Sequence, residues 1–402
     1  MTFYLIIGVF VIPFFLFIWC KLDFMLGKKR HNHEREHIFY PRRKGHITFF
    51  RDGKTFFDAY FEDIKNAQHH IHIHFFIFRD DQLGSQLIRL LCNKAENGVH
   101  VNVMADRLGA GMSRKGRRTL KKSGVQFTYS QKVSLPFLFF SLNRRNHRKM
   151  TIIDGKIGYV GGFNVGDEYI GRNPELGFWR DFHLRIEGQG VTDIQTQFLS
   201  DWMKAKQTPF PKDDEYFPTI AEEGKDTYQI LASDGSGLET FFTQAIEQAK
   251  KYLYIASPYF VPSNRIQKSI LQAIDQGVDV HIILPEKRDH PFVKEASYAF
   301  LEQLMSKGAS VYYFREGFFH AKALLIDEKC CDVGTANMDM RSFFLNNEMN
   351  VLLFSSDLIQ EVKNTLDKDI EKSLRVKKED LQNKSFWANA REQIALRIKE
   401  LL

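Results

Sequence analysis

Cysteine is scarce in this chain of 402 residues, which has only four: Cys20, Cys92, Cys330 and Cys331. Their spacing matches neither a metal site nor the disulfide framework of a small secreted protein. The adjacent Cys330 and Cys331 would point to opposite faces of a strand. The pattern predicts reduced thiols in a cytosolic environment and no metal site.

Charge is lacking from the first twenty residues, which read MTFYLIIGVFVIPFFLFIWC. As a helix, such a run covers about 30 Å, the thickness of the hydrocarbon core of a bilayer. A cleaved signal peptide would need a basic residue before the run and a small-residue cleavage site after it, and both are lacking. Basic residues follow the run instead. We therefore expect a single-pass transmembrane anchor at residues 1–27 and a basic tether at 28–46, with the later domains on the cytoplasmic side of the cell membrane.

An acidic excess is also lacking, since 56 Lys and Arg against 49 Asp and Glu give a formal net charge of +7. A basic surface favours anionic partners, namely nucleic acid, acidic lipid or phosphorylated small molecules. Phenylalanine is abundant, with 37 residues, and several lie in clusters that the core of a water-soluble protein does not require. The charge alone does not choose among these partners.

From Ile47 onwards, short apolar strands alternate with amphipathic helices, which predicts an α/β fold. A second cycle begins near Thr227, where Asp52-Gly53 recurs as Asp234-Gly235 and Gly98-Val99 recurs as Gly277-Val278. Such a repeat indicates a tandem duplication. We expect two similar domains, each a mixed β-sheet flanked by helices. The first covers residues 47–207, a linker covers 208–226, and the second domain covers 227–402.

One motif occurs once in each half with the same spacing. Each copy contains H-x-K, an aspartate after four further residues, and a glycine-rich segment that ends in asparagine. The members are His147, Lys149, Asp154 and Asn164 in the first copy, and His320, Lys322, Asp327 and Asn337 in the second. A single H-x-K would carry little weight. Two complete copies inside a repeat indicate a shared active site.

The spacing of the motif has a physical logic. In H-x-K on a strand, both side chains emerge on one face because the strand period is two. Asn164 and Asn337 can add amide donors for phosphate, and the glycines that precede them let the backbone approach a ligand closely. Two such faces form a pocket for a phosphodiester, with cations for the non-bridging oxygens and an imidazole on each side of phosphorus.

These motifs resemble those of the phospholipase D superfamily, and the resemblance covers nearly the whole chain from about Ile47. It implies tandem phospholipase D-type domains. The flanking segments are most similar to those of bacterial cardiolipin synthases; they read LNRRN at 142–146, GDEY at 166–169, WRD at 179–181, SPYFVP at 257–262 and NMDMRS at 337–342. Thr335 stands where Ser is usual. Many relatives carry two N-terminal membrane helices, whereas one is expected here.

The resemblance implies a two-step exchange without metal or cofactor, in which one imidazole forms a phosphatidyl-histidine. His147 is expected as the nucleophile and His320 as the acid and base, although the duplication makes them nearly interchangeable. Lys149 and Lys322 are expected to bind the phosphoryl oxygens.

Carboxylates complete the expected catalytic set. Asp181 and Glu348 follow the two motifs at comparable distances, and each is expected to orient a histidine through its second ring nitrogen. Asp154 and Asp327 are interpreted as orienting or salt-bridging supports, because an anion in contact with the phosphate would repel it.

The resemblance also implies the substrates. Phosphatidylglycerol is expected to be both the donor and the acceptor of the phosphatidyl group. Anionic membrane lipids are expected as partners and nucleic acid is not, and the sequence does not predict the oligomeric state. A hydrolase that uses water, or a phosphatidyltransferase with another acceptor alcohol, would use the same histidines. A nuclease needs no membrane anchor, and a scaffold would leave the duplicate motifs unexplained.

Three further segments allow two interpretations each. His70, His72 and His74 would share one strand face, which suggests metal binding, but the segment aligns with an ordinary strand at 253–260 and the mechanism needs no metal. The basic run at 114–122 is either a solvated helix face or a contact for anionic headgroups. The apolar run LPFLFFSL at 135–142 is either a buried strand or a loop that dips into the bilayer.

Overall fold

The computed structural model describes residues 11–34, 37–210, 214–221, 223–382 and 386–401. The first half contains the helices α1 Ile12–Glu34, α2 Gly53–Asn66, α3 Gln82–Glu96, α4 Arg114–Lys122, α5 Leu138–Asn143 and α6 Gly190–Lys206. Its strands are β1 His37–Phe50, β2 His70–Phe75, β3 His100–Asp106, β4 Gln126–Ser130, β5 Met150–Ile153, β6 Ile157–Gly161, β7 Trp179–Arg180 and β8 His183–Gly188.

The second half repeats this order. Its helices are α7 Leu238–Glu247, α8 Asn264–Asp275, α9 Val293–Lys307, α10 Met340–Phe344, α11 Ser356–Glu371, α12 Lys378–Gln382 and α13 Phe386–Arg397. Its strands are β9 Asp226–Asp234, β10 Tyr252–Ala256, β11 Phe260–Val261, β12 Asp279–Pro285, β13 Ser310–Phe314, β14 Phe318–Phe319, β15 Ala323–Ile326, β16 Cys330–Gly334, β17 Met338–Asp339, β18 Asn347–Leu353 and β19 Ser373–Arg375.

One mixed sheet of 15 strands runs through both halves in the order β19-β13-β12-β10-β15-β16-β18-β9-β1-β8-β6-β5-β2-β3-β4. The order is mirrored about the antiparallel β1–β9 pair, so β2 matches β10 and β5 matches β15. The α/β prediction is confirmed. The two halves nevertheless share one continuous sheet, where the sequence suggested a separate sheet in each domain. All six residues of β2 are buried, as expected for a strand with both faces covered by helices.

The segment expected as a basic tether is ordered secondary structure. Helix α1 continues to Glu34, and residues 37–46 belong to β1, which lies at the centre of the sheet between β8 and β9. The tether at 28–46 and the domain start at 47 were therefore wrong. Alternation along β1 buries Tyr40, Ile47 and Phe49, while its basic residues lie at more exposed positions, which is why the segment resembles a tether in sequence.

Among the described residues, no helix is both long and apolar enough to cross a membrane. Most of the expected anchor's first half, residues 1–10, lies outside the described residues. Helix α1 begins inside the expected anchor and exposes large apolar side chains along its first turns, including Phe14, Phe15 and Phe17.

The far end of α1 packs against the segment expected as a buried strand or dipping loop. That segment contains the short helix α5 instead, so the strand interpretation was wrong. Asp23 Oδ1 accepts a hydrogen bond from the Phe140 backbone N–H at 2.8 Å, and the Phe24 and Phe140 rings lie 5.9 Å apart. A Cβ at Gly27 would lie 2.5 Å from Phe140 Cγ, so glycine is required for this close approach. Helix α1 is thus docked on α5, which ends four residues before His147.

A buried arginine joins the two halves. Arg148 is only 1% exposed, and its guanidinium donates to Asp201 of α6 at 2.6 and 2.7 Å and to Asp234 of β9 at 2.6 Å. Its Nε donates to the Glu348 carbonyl at 3.0 Å. Burial alone would raise the pKa of Asp234, but Arg148 and Lys204 lower it to about 2. The position between His147 and Lys149 therefore carries a structural ion pair.

Replacing Arg148 by Ala should destabilise the fold by about 3–5 kcal/mol, because two carboxylates would remain buried without their cation. The measurement is urea unfolding of the detergent-solubilised chain, followed by circular dichroism. Arg172→Ala is the control, since Arg172 pairs with Asp167 at 2.8 Å on the surface and its removal should cost less than about 1 kcal/mol. Equal losses in the two variants would contradict this role of Arg148.

Candidate active site

His147 is oriented by a carboxylate from the other half of the chain. It lies in the segment just before β5, and its Nδ1 is 3.0 Å from Oε2 of Glu348 on β18. A carboxylate only accepts, so Nδ1 carries the proton and Nε2 keeps its lone pair. Glu348 is fully buried and also accepts from the Thr335 and Ser342 hydroxyls at 2.5 and 3.0 Å. The carboxylate is therefore held in one orientation.

His320 has the reciprocal arrangement. It lies just before β15, and its Nδ1 is 2.6 Å from Oδ2 of Asp181, a residue of the first half. Asp181 is fully buried, and its other oxygen accepts the Phe182 backbone N–H at 2.8 Å. A Cβ at Gly162 would lie 1.9 Å from this carboxylate, so glycine makes room for Asp181. The glycines were expected to approach a ligand, and here Gly162 approaches a catalytic side chain.

Backbone pairing explains the exchange of carboxylates. The His147 N–H donates to the Asn347 carbonyl at 2.9 Å, so His147 is held beside the start of β18. The His320 N–H donates to the Arg180 carbonyl at 2.7 Å, where β14 pairs with β7 in parallel. His147 is therefore fixed by the strand that contains Glu348, and His320 by the strand that directly precedes Asp181. Asp181 and Glu348 fill the orienting role expected of them, and each does so for the histidine of the other half.

The two lysines fold back onto their histidines. Lys149 Nζ donates to the His147 carbonyl at 2.8 Å and lies 5.5 Å from the centre of the Phe76 ring. Lys322 Nζ contacts the His320 carbonyl and lies 3.5 Å from Oδ2 of Asp181. Both lysines are buried, and burial lowers the pKa of each, with the charge of Lys322 lowering that of Lys149 further. Two buried ammonium groups favour an anionic ligand between them.

Burial also lowers the pKa of both histidines. Lys149 adds to the effect at His147, while Glu348 opposes it. Burial and Lys322 lower the pKa of His320 to about 4, against the opposing charge of Asp181. Burial would raise the pKa of Asp181 and Glu348, but the neighbouring cations hold both below their usual values. Lys322 also lowers the pKa of His147, which couples the two half-sites electrostatically.

The two motif asparagines have different surroundings, and Asn164 fixes a neighbouring segment. Asn164 Oδ1 accepts from the Ile77 backbone N–H at 3.0 Å, and its Nδ2 donates to the Tyr169 hydroxyl at 3.3 Å. Asn337 is buried, and its Oδ1 has no hydrogen-bond partner among the described residues. Phosphate binding by Asn164 and Asn337 stays a prediction.

The motif aspartates lie away from the histidines, each at the opposite end of a four-residue strand. Asp154 follows β5 and accepts the backbone N–H groups of residues 68–70 at 2.8 to 2.9 Å. Asp327 follows β15 and accepts those of residues 250–252 at 2.9 to 3.3 Å. Both adopt positive φ, at 53° and 49°. They fix the start of β2 and β10, which agrees with the interpretation as supports, and a part in catalysis stays a prediction.

The histidines of β2 are core residues. His72 Nδ1 pairs with the Gln195 side chain, and its ring stacks on Phe198 at 4.8 Å. His74 Nε2 lies 3.1 Å from the Ser130 hydroxyl. Burial lowers the pKa of both rings, that of His74 to about 3. Within the described ranges, no group of three or more histidines, cysteines and acidic residues is placed to hold a metal ion.

Two residues of the site were not named as site residues from the sequence, although one of them, Tyr259, lies in the SPYFVP segment. Phe76 lies against His147, with ring centres 5.0 Å apart. Tyr259 lies 6.3 Å from the His320 ring and donates its hydroxyl to Asp289 at 2.5 Å. Phe76 and Tyr259 follow β2 and β10, which are matching strands of the two halves. The aromatic ring of Phe76 lies beside His147, whereas the hydroxyl–carboxylate pair of Tyr259 and Asp289 lies on the side of His320. The duplication therefore leaves the two half-sites chemically different.

Replacing Glu348 by Gln should lower the pKa of His147 further, because the carboxylate charge raises that pKa in the intact site. We also expect activity to fall by about 10²-fold or more, since the ring loses its fixed tautomer. The measurement is titration of the ¹³C-labelled histidine Cε1–H signals by NMR. Asp181→Asn is the matched control and should move the signal of His320. A response of His320 to the Glu348 change, with His147 unmoved, would contradict the crossed pairing.

Comparison with known proteins agrees with this geometry. The family model described as a cardiolipin synthase, phospholipase D-like domain, matches residues 60–202 and 242–370. The cardiolipin synthase of Listeria monocytogenes serotype 4a is 38% identical over 362 residues, covering 89% of this chain and 75% of the relative. The minor cardiolipin synthase of Bacillus subtilis is 36% identical, with 96% of each chain covered.

Among solved structures, phosphatidylserine synthase of Haemophilus influenzae has the same fold, with a TM-score of 0.71 at 16% sequence identity. The match covers 93% of this chain and 100% of that one. The motif spacing, the crossed histidines and the family match point to the same conclusion. The chain belongs to the cardiolipin synthase family of phospholipase D-type phosphatidyltransferases.

Proposed function

We propose that the chain transfers the phosphatidyl group of one phosphatidylglycerol to a second phosphatidylglycerol, which gives cardiolipin and glycerol. The observation that carries the proposal is the pair of crossed histidine–carboxylate contacts beside two buried lysines. An anionic phosphodiester would offset the burial of the two ammonium groups. The relatives named cardiolipin synthase support the choice of lipid.

In the first step, Nε2 of His147 attacks phosphorus. A P–N bond forms, the P–O bond to the glycerol headgroup breaks, and the leaving oxygen takes a proton from His320. Burial and Lys322 lower the pKa of His320 to about 4, so His320 takes up its proton from solvent when the anionic phosphodiester binds and raises that pKa. The negative phosphodiester favours the imidazolium, and Asp289 adds a further negative charge on that side.

In the second step, neutral His320 removes the proton from a hydroxyl of the second phosphatidylglycerol. The alkoxide attacks phosphorus, the P–N bond breaks, and His147 is regenerated. Lys149 and Lys322 hold the non-bridging oxygens in both steps, where preorganised donors lower the barrier by about 3–4 kcal/mol each. No metal or cofactor takes part in this scheme.

The roles of the two histidines can be separated with two donors. His147→Ala and His320→Ala should each reduce cardiolipin formation from radiolabelled phosphatidylglycerol in mixed micelles by about 10³-fold or more. With phosphatidyl-p-nitrophenol, whose leaving group needs no proton, His320→Ala should still release a burst of p-nitrophenol and His147→Ala should not. A burst from His147→Ala and none from His320→Ala would instead make His320 the nucleophile. Release of phosphatidic acid in place of cardiolipin by the wild type would favour a hydrolase.

We also propose that the chain is anchored in the cell membrane by its N-terminal segment, with the catalytic halves on the cytoplasmic side. Support comes from the uncharged run before Lys21 and from the exposed apolar face of α1. Three leucines around α5 extend that apolar surface, since Leu135, Leu138 and Leu142 are 80%, 36% and 38% exposed. They precede His147 closely in the chain, which suits the delivery of acyl chains to the site.

Replacing Leu135, Leu138 and Leu142 together by Ser should reduce transfer in liposomes severalfold or more. The reason is that the apolar surface around α5 would no longer enter the bilayer. Transfer in detergent micelles, where the substrate is freely presented, should change little. Leu374→Ser is the control, since Leu374 is 40% exposed on the edge strand β19. Unchanged activity of the triple variant in liposomes would exclude a membrane role for these three leucines.

A further inference from the structure

A second basic site lies beside the active site, in an open groove between α4 and the ends of β3 and β4. Its volume is about 480 Å³, within the range of small-molecule pockets. Six cationic side chains line it, and no carboxylate does; they are Arg107, Arg114, Arg117, Arg118, Lys121 and Lys132. The sequence run at 114–122 supplies four of the six, and the other two follow β3 and β4.

These six cations have few partners within the chain. Among the described residues, none of them forms a salt bridge. The Arg107 and Arg117 guanidinium groups lie 4.8 and 5.7 Å from the Tyr129 ring centre, and Arg117 donates to the Met112 carbonyl at 2.7 Å. A solvated helix face usually mixes charges of both signs, whereas α4 has no acidic residue. The groove thus concentrates positive charge that an anion would neutralise.

The groove is adjacent to the catalytic site and separate from it. Arg107 directly follows Asp106, whose carboxylate accepts from Arg145 Nη1 at 3.2 Å and from the Asn146 backbone N–H at 3.1 Å. His147 is the next residue. The groove and His147 therefore share the edge of the sheet at which β2, β3 and β4 end, and no lining residue of the groove belongs to the catalytic set.

We infer that this groove binds the phosphate of an anionic phospholipid that remains in the membrane and does not react. The inference rests on the proposed function, because it requires this sheet edge to face a lipid bilayer. Two exposed leucines flank the groove: Leu108 follows Arg107 and is 53% exposed, and Leu135 follows Lys132 by three residues and is 80% exposed. Cations beside exposed apolar side chains suit the headgroup region, where phosphate and acyl chains are both within reach.

A variant pair on one helix tests the inference. Arg118→Ser/Lys121→Ser removes two charges that line the groove, and Lys115→Ser/Lys122→Ser removes two charges of the same helix that do not. Native mass spectrometry of the full chain in neutral detergent counts bound dioleoylphosphatidic acid, with dioleoylphosphatidylcholine as the uncharged control. The wild type should bind one phosphatidic acid more than the groove variant. The affinity of that extra lipid should fall by about tenfold or more in the groove variant.

The control variant should keep the extra lipid, and both variants should keep wild-type transfer in detergent micelles. Equal loss in both variants, or loss in neither, would overturn the site. Competition distinguishes the sources of phosphate: if inorganic phosphate or a single-stranded oligonucleotide occupies the groove more tightly than the lipid, the lipid assignment is wrong. The lipid count does not depend on turnover, so it stands or fails separately from the transferase proposal.

Discussion

The exchange of carboxylates between the halves is the constraint on which the site depends. His147 takes its tautomer from Glu348, and His320 takes its tautomer from Asp181. The exchange is possible only because the sheet runs without a break through the β1–β9 pair and because β7 and β18 reach the opposite half. A site made this way is rigid at its centre, since each imidazole is held by backbone and side chain together.

Duplication gave the two halves the same motif, but the packing around each copy differs. The residue between His and Lys is Arg148 in one copy, which binds two buried aspartates, and Ala321 in the other, which is an apolar core residue. Gly162 leaves room for Asp181, whereas the matching Thr335 donates to Glu348. The two copies of the motif therefore carry nearly the same catalytic groups, but the residues packed around them differ. This difference allows the two imidazoles to have different protonation and different roles.

The sequence predicted the α/β class, the duplication and both H-x-K pairs, because these are carried by spacing and periodicity within a short window. It did not predict which carboxylate serves which histidine, since that depends on strand pairing over 201 residues. Arg148 gave no signal because the repeat has alanine at the matching position. Strand β1 was missed because arginines and lysines mask its alternation. The partners of Asp154 were not predicted because the backbone N–H groups that it supports lie 84 to 86 residues away in the sequence.

The separation of 201 residues between His147 and Glu348 also sets the order in which the parts of the site are synthesised. Ribosomes add about 5–20 residues per second, so Glu348 is synthesised roughly 10–40 s after His147. Until residue 234 is added, β1 lacks β9, and until Asn347 is added, His147 lacks the strand that fixes it. Helices α1 and α5 both precede His147 in the chain, so their contact depends on no later segment. The nascent polypeptide therefore lacks a complete histidine–carboxylate site until Glu348 has been added, whereas the packing of α1 on α5 does not depend on that residue.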